Sequence, residues 1–148
     1  NSLYRHGWMN LNAEYTGLDL SQVMLAQCQS LLRNKNVCVD LVIGDAASLP
    51  FTDNYFDIVL NYGAVNGYSD IKKALTEMKR VLKNDGLMLF LDEQMYPGAS
   101  AIEKVYFEKV LSSHCTIRHC PIELLPDDLK NVIVYQVYEF YYICTCYK

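Results

Sequence analysis

Four short loops carry the residues best suited to chemistry: Asp19-Leu20-Ser21, Gly44-Asp45-Ala46, Asn61-Tyr62-Gly63-Ala64 and Asp92-Glu93-Gln94. Each follows an apolar stretch of strand length. In an open parallel sheet the ligand lies beyond the carboxyl ends of the strands, so these loops are expected to line one crevice. An acid at such an end can grip a ribose, because its two oxygens accept hydrogen bonds from both hydroxyls; Asp19 is placed for that. Asp45 can accept from an adenine amino group while the Ala46 N–H donates to a ring nitrogen, and Leu49 or Phe51 can cover the base. The plainer reading of Asp19 is that it helps start the helix that Ser21 caps.

Thiols and imidazoles offer a second chemistry. His114-Cys115 and His119-Cys120 are close in sequence, and Cys144 and Cys146 fall on one face of a strand. Such donors bind zinc or a soft substrate such as arsenite. The spacing fits no closed zinc pattern, and Cys115 and Cys120 point to opposite faces if their segment is a regular strand. The expectation is therefore structural cysteines and no metal site.

The elements that position these residues alternate. Strands are expected at Tyr15–Leu20, Val37–Ile43, Phe56–Asn61 and Leu87–Leu91, the second and third buried on both faces. Ser21–Asn34 reads as an amphipathic helix burying Val23, Met24, Ala26, Leu31 and Leu32. Asp70–Leu82 is a helix capped by Asp70, with Ile71, Ala74, Leu75, Met78, Val81 and Leu82 at helical spacing. Asn84-Asp85-Gly86 ends it, Gly86 being able to take positive φ. Ser100–Ser113 is predicted helical, with Ile102, Val105, Tyr106, Val110 and Leu111 inward, and Cys115–Cys120 strand-like. Leu124–Asn131 is a connector, and Val132–Tyr147 is the final strand or strands. The last run has no helix-length crossover before it, which suits an antiparallel strand. Asn1–Glu14 gives no clear pattern; Leu3, Tyr4, Trp8, Met9 and Leu11 are apolar and Gly7 interrupts them.

Composition sets the limits. The chain has 148 residues, 51% hydrophobic and 20% charged, which suits one globular domain, 1–148. With 13 basic and 17 acidic residues the formal charge is −4, which argues against nucleic acid as a partner. Lys72, Lys73, Lys79, Arg80 and Lys83 form a basic group on an expected solvated helix face. No apolar run reaches the roughly 18 residues of a membrane helix, so no membrane partner is expected. The six cysteines, without a secretory signal ahead of them, suggest buried thiols in a reduced, cytoplasmic protein.

Four pieces taken in order resemble class I S-adenosylmethionine-dependent methyltransferases of the small-molecule type, including quinone-biosynthesis enzymes. They are Gly17-Leu18-Asp19-Leu20-Ser21, Gly44-Asp45-Ala46-Ala47-Ser48-Leu49-Pro50-Phe51, Phe56-Asp57-Ile58-Val59-Leu60, and Glu77 with Arg80-Val81-Leu82-Lys83-Asn84-Asp85-Gly86. The resemblance spans about Tyr15 to Glu93. It implies an α/β, Rossmann-like, mostly parallel sheet with helices on both faces and an antiparallel C-terminal strand. It also implies S-adenosylmethionine as cofactor, held by Asp19 at the ribose, Leu20 on the adenine, Asp45 and the Ala46 backbone at the base edge, and Asn61 near the methionine part. The implied activity is methyl transfer to a small molecule, with catalytic residues unassigned. Tyr62, Asn66, Tyr68 and Glu93 are candidates to face the acceptor, each more simply a wall or surface residue.

The family's first strand and its acid-x-Gly-x-Gly-x-Gly loop have no counterpart in Asn1–Glu14. The expectation is an N-terminally truncated domain lacking the first family strand, since that strand lies mid-sheet and its loss leaves edges unpaired. The competing function is a non-catalytic methyltransferase-like module that binds a partner protein. Self-association through the aromatic run Tyr135, Tyr138, Phe140, Tyr141, Tyr142 is one form of it, if alternate members are exposed.

Overall fold

Residues 12–33, 35 and 38–148 are described by the structure, a computed structural model. The apolar residues Leu3 to Leu11, Gly7, Asn34, Asn36 and Val37 lie outside the described residues. The chain divides into two compact units, Asn1–Ala46 and Ala47–Lys148.

In the first unit β1 (Thr16–Asp19) runs parallel to β2 (Asp40–Ile43), Asp19 pairing with Ile43, and α1 (Gln22–Arg33) joins them. The helix begins where expected, with the Ser21 hydroxyl accepting from Met24 N at 3.3 Å. Its predicted stripe is not buried: Val23 is 66% exposed, Met24 52% and Leu31 48%, and Ala26 is exposed too. The half-buried positions are Leu25, Cys28 and Leu32, at spacings of three and four. Along β2, Leu41 and Val42 are half-buried and Asp40 and Ile43 are exposed, Ile43 at 56%, against the double burial expected.

The second unit is built on α2 (Ile71–Val81). Asp70 caps it by accepting from Lys73 N at 3.0 Å, and Ile71, Ala74, Leu75, Met78 and Val81 are buried along one side. The chain leaves this helix at Leu82 in an extended conformation and enters β4 (Leu82–Glu93) with no intervening loop. A positive φ does occur in Asn84-Asp85-Gly86, but Asp85 holds it, at φ 60°. Gly86 is needed for a different reason: a Cβ there would meet Leu82 Cδ1 at 2.8 Å and Lys83 O at 2.9 Å. The pairing register with β3 (Phe56–Tyr62) shifts at this point, from Phe56–Leu82 to Ile58–Leu87, so Lys83–Gly86 bulge out of the ladder.

The four strands lie in the order β3-β4-β6-β5, with β5 at Lys130–Val137 and β6 at Tyr141–Tyr147. The final aromatic run is thus two strands. β3 is parallel to β4, and β6 is antiparallel to both β4 and β5. Strands β3, β4 and β5 share a direction and β6 alone opposes it.

The two faces of this sheet differ. Met88, Phe90 and Asp92 of β4 and Tyr142, Cys144 and Cys146 of β6 are buried, packing with Val65, Ile71, Leu75 and Met78. Leu87, Leu89 and Leu91, on the other face, are half-buried, and their register partners Ile58 and Tyr62 are 56% and 60% exposed. β3 is therefore buried on one face only, against the double burial expected.

Between β4 and β5 the predicted long helix is cut short. α3 (Ala101–Tyr106) starts with a reciprocal Ser100–Glu103 capping box and passes into one π-helical turn, Phe107–Leu111. Phe107, which the predicted stripe omitted, is 1% exposed and stacks on Phe140 at 5.9 Å. Ile102, Val105, Tyr106 and Val110, all predicted inward, are between 47% and 82% exposed. Cys115–Cys120 forms bends and irregular chain rather than a strand.

Candidate functional site

Asp19 and Asp45 leave the same end of the β1–β2 pair. The two strands are parallel, Gly44 N donates to Asp19 O at 3.2 Å, and Asp45 follows directly. Asp19 Oδ1 accepts from Ser21 N at 2.8 Å, which turns the chain into α1. That is the helix-starting role read from sequence, and it occupies one carboxylate oxygen. Leu20 projects beside it, 73% exposed, while Asp45 is exposed and Ala46 half-buried.

Asn61 belongs to the second unit and sits near the carboxyl end of β3. Its Nδ2 donates to Tyr68 Oη at 2.7 Å, and its Oδ1 is buried with no hydrogen-bond partner among the described residues. A buried orphan acceptor is costly unless a donor arrives to meet it. At the end of β4, Asp92 is 1% exposed and accepts from Asn66 N at 2.8 Å and Glu93 N at 2.9 Å. Burial, and then the hydrogen bond to Glu93, push the Asp92 carboxyl up to about 7. Asn66 is the node of this region. Its Nδ2 donates to Glu93 O at 2.7 Å, its Oδ1 accepts from Tyr142 Oη at 2.9 Å, and its carbonyl accepts from Thr116 N at 2.6 Å. Being 0% exposed with both side-chain polar atoms engaged, Asn66 is a scaffold residue and does not face an acceptor.

Sulfur chemistry falls into two places. Cys120, Cys144 and Cys146 are buried in the core, and the Cys120 thiol beside Cys144 raises the latter to about 12. Cys115 lies elsewhere, against Glu93, and burial together with that carboxylate pushes its thiol up to about 12. All six cysteines are free thiols. In the aromatic run, Tyr142 is buried, whereas Tyr135 and Tyr138 are 52% and 81% exposed.

A clamp on the Leu49–Phe51 segment was readable in sequence only as the pair Glu77 and Arg80, three residues apart on α2. Arg80 donates to Leu49 O at 2.9 Å and Phe51 O at 2.8 Å and pairs with Glu77 and Asp53. Glu77 in turn accepts from Leu49 N at 2.8 Å. The Arg80 hydrogen bond holds the Glu77 carboxyl below its usual range. Phe51 is engaged edge-on by Phe56, with ring centroids 4.9 Å apart. Arg80→Met strands two carbonyls and the Glu77 carboxylate, so a loss of about 2–3 kcal/mol is expected. Urea unfolding measures it, and hydrogen exchange at the Leu49 amide should accelerate. A change below about 0.5 kcal/mol with unaltered exchange would show that the clamp is ornamental.

Parallel strands tipped with acids, and one reversed strand seated between the last two parallel ones, define a Rossmann-like α/β class. Residues 2–90, more than half of the chain, match the methyltransferase domain family. The chain belongs to that family, the class I S-adenosylmethionine-dependent methyltransferases. It is 37% identical over 102 residues to the demethylmenaquinone methyltransferase of Staphylococcus haemolyticus, covering 68% of this chain and 42% of that protein. It is 41% identical over 80 residues to the phthiotriol/phenolphthiotriol dimycocerosates methyltransferase of Mycobacterium tuberculosis, covering 54% of this chain and 29% of the relative. The chain thus spans less than half the length of these relatives. The structure of Haemonchus contortus phosphoethanolamine N-methyltransferase 2 in complex with S-adenosyl-L-methionine superposes with a TM-score of 0.78 over 98% of this chain and 45% of that one. At 15% identity, that likeness supports the fold alone. No helix among the described residues is long and apolar enough to cross a membrane.

Proposed function

We propose that the protein carrying this chain transfers a methyl group from S-adenosylmethionine to a small-molecule acceptor. The observation that carries the reading is the family match over residues 2–90, with Asp19 and Asp45 at the same end of two adjacent parallel strands. The names of the staphylococcal and mycobacterial relatives suggest a small acceptor.

The donor set suits this cofactor. Asp19 keeps its turn through Oδ1 while offering carboxylate lone pairs to the ribose hydroxyls, and Leu20 supplies an exposed apolar surface for adenine. Asp45 accepts from the adenine amino group and the Ala46 N–H meets the ring. Asn61, in the second unit, is carried by the family resemblance alone as the residue near the methionine part; its Oδ1 has no hydrogen-bond partner among the described residues. The sulfonium methyl of the cofactor carries its own activation. The residues of the chain are left to bind, to align the acceptor for in-line displacement and to keep water out. Binding is tested on the full-length protein that carries this chain.

The test is calorimetry with S-adenosylhomocysteine. The intact protein should bind, and Asp19→Ala should weaken binding by about 10- to 100-fold through loss of the ribose hydrogen bonds. Absence of binding, or binding indifferent to Asp19→Ala, overturns the assignment.

A further inference from the structure

Three ligand-type atoms converge at the end of β4. Cys115 Sγ lies 3.5 Å from Glu93 Oε2 and 3.7 Å from His114 Nε2, and His114 Nε2 lies 3.9 Å from Glu93 Oε2. All three are within 4.8 Å of one another, a grouping of ligand atoms that places one ion in reach of each. Tetrahedral zinc, with bonds of about 2.0–2.3 Å, holds its ligand atoms roughly 3.3–3.6 Å apart. The triad therefore needs movements of only a few tenths of an ångström. The geometry points to a zinc site formed by Glu93, His114 and Cys115, with a fourth coordination position left to water or a soft ligand.

The donor chemistry selects the metal. A thiolate and an imidazole beside one carboxylate suit zinc and not magnesium or calcium, which take oxygen ligands. On binding, the Cys115 thiol gives its proton to solvent and the thiolate becomes the ligand.

The frame is held in place as well. Glu93 and the His114-Cys115 turn come from segments about twenty residues apart, and both are tied to buried Asn66. Its amide donates to Glu93 O, and its carbonyl accepts from Thr116 N, the residue after Cys115. Supports of this kind orient the ligands before a metal arrives. Within this unit the other thiols are poorly placed to compete: Cys120, Cys144 and Cys146 are at most 4% exposed, and His119 pairs with Glu123 at 2.9 Å. The first unit carries the half-buried Cys28 and the exposed Cys38, so the cobalt band must be lost with Cys115 and kept in Cys38→Ser.

The test uses the full chain, stripped with chelator and titrated with zinc against a chromophoric indicator, then with cobalt as a spectroscopic probe. One equivalent should bind with a dissociation constant near or below about 1 µM, and cobalt should give a thiolate charge-transfer band. Cys115→Ser should abolish that band, and both Cys115→Ser and His114→Ala should weaken zinc by about 100-fold; Glu93→Gln should weaken it about tenfold. His114 has a 57% exposed side chain, so His114→Ala keeps the test valid if Cys115→Ser folds poorly. Substoichiometric zinc, a cobalt complex without the band, or a band lost in Cys120→Ser but kept in Cys115→Ser overturns the site. The readout involves no nucleoside, so its failure is separate from failure of the methyl-transfer reading.

Discussion

Asn66→Ala is expected to lower the unfolding free energy by about 3–4 kcal/mol. The side chain is 0% exposed, and its two polar atoms satisfy Tyr142 Oη and Glu93 O at 2.9 and 2.7 Å. Truncation leaves a buried hydroxyl and a carbonyl without partners and adds a small cavity; each loss costs on the order of 1–3 kcal/mol. The backbone bonds of residue 66 to Asp92 and Thr116 survive, so the chain path should hold. Tyr142→Phe should cost less, about 1–2 kcal/mol, because it strands only one acceptor. In the double variant the two losses should fall short of additive by about 1 kcal/mol, since Tyr142 Oη and Asn66 Oδ1 are the same bond seen from two ends. Urea unfolding with unchanged m-values is the measurement. A loss under about 1 kcal/mol for Asn66→Ala would mean that water readily replaces the amide in this core.

That network was invisible in sequence, and its spacing explains why. Asn66 meets Asp92 across 26 positions and Tyr142 across 76, and no local pattern marks a loop asparagine as the junction. By contrast the body of α2 was legible almost residue by residue, because its cap and its periodicity are short-range signals; its exit was not, since the chain enters β4 at Leu82 where a turn at Asn84-Asp85-Gly86 was expected. Whether the final run was one strand or two stayed open in sequence because Tyr138 holds the turn at φ 56°, where turn chemistry predicts glycine or asparagine. The stripes on α1 and α3 failed differently. Periodicity identifies which residues share a face, but burial depends on what covers that face, and in both helices most of the predicted stripe is exposed. For the site, the acids at the tips of β1 and β2 were readable from chain order, while the convergence of Glu93 on His114-Cys115 required the fold.

Asp92→Asn should change the pH dependence of stability more than its value at acid pH. The Asp92 carboxyl is raised from 3.8 to about 7, first by burial and then by the hydrogen bond with Glu93, against the opposing pull of two backbone N–H donors. A raised acid contributes fully below its unfolded pKa, and that contribution is lost as pH climbs through the folded value. The window therefore runs from about pH 4 to about pH 7, with stability falling as pH rises. Between pH 5 and pH 8 a shift of that direction and size is worth roughly 2–3 kcal/mol. Asparagine keeps an acceptor for Asn66 N and carries no charge, so the variant should lose about that much less than the parent over the same interval. Glu77 works with the opposite sign: its lowered carboxyl contributes above its unfolded pKa and is lost toward acid, equally in both proteins, so it cancels in the difference. Denaturant unfolding in chelator, which keeps Glu93 free of metal, should give profiles that diverge between pH 5 and 8. Parallel profiles would show that Asp92 is ionised in the folded protein throughout, with its charge carried by Asn66 N and Glu93 N.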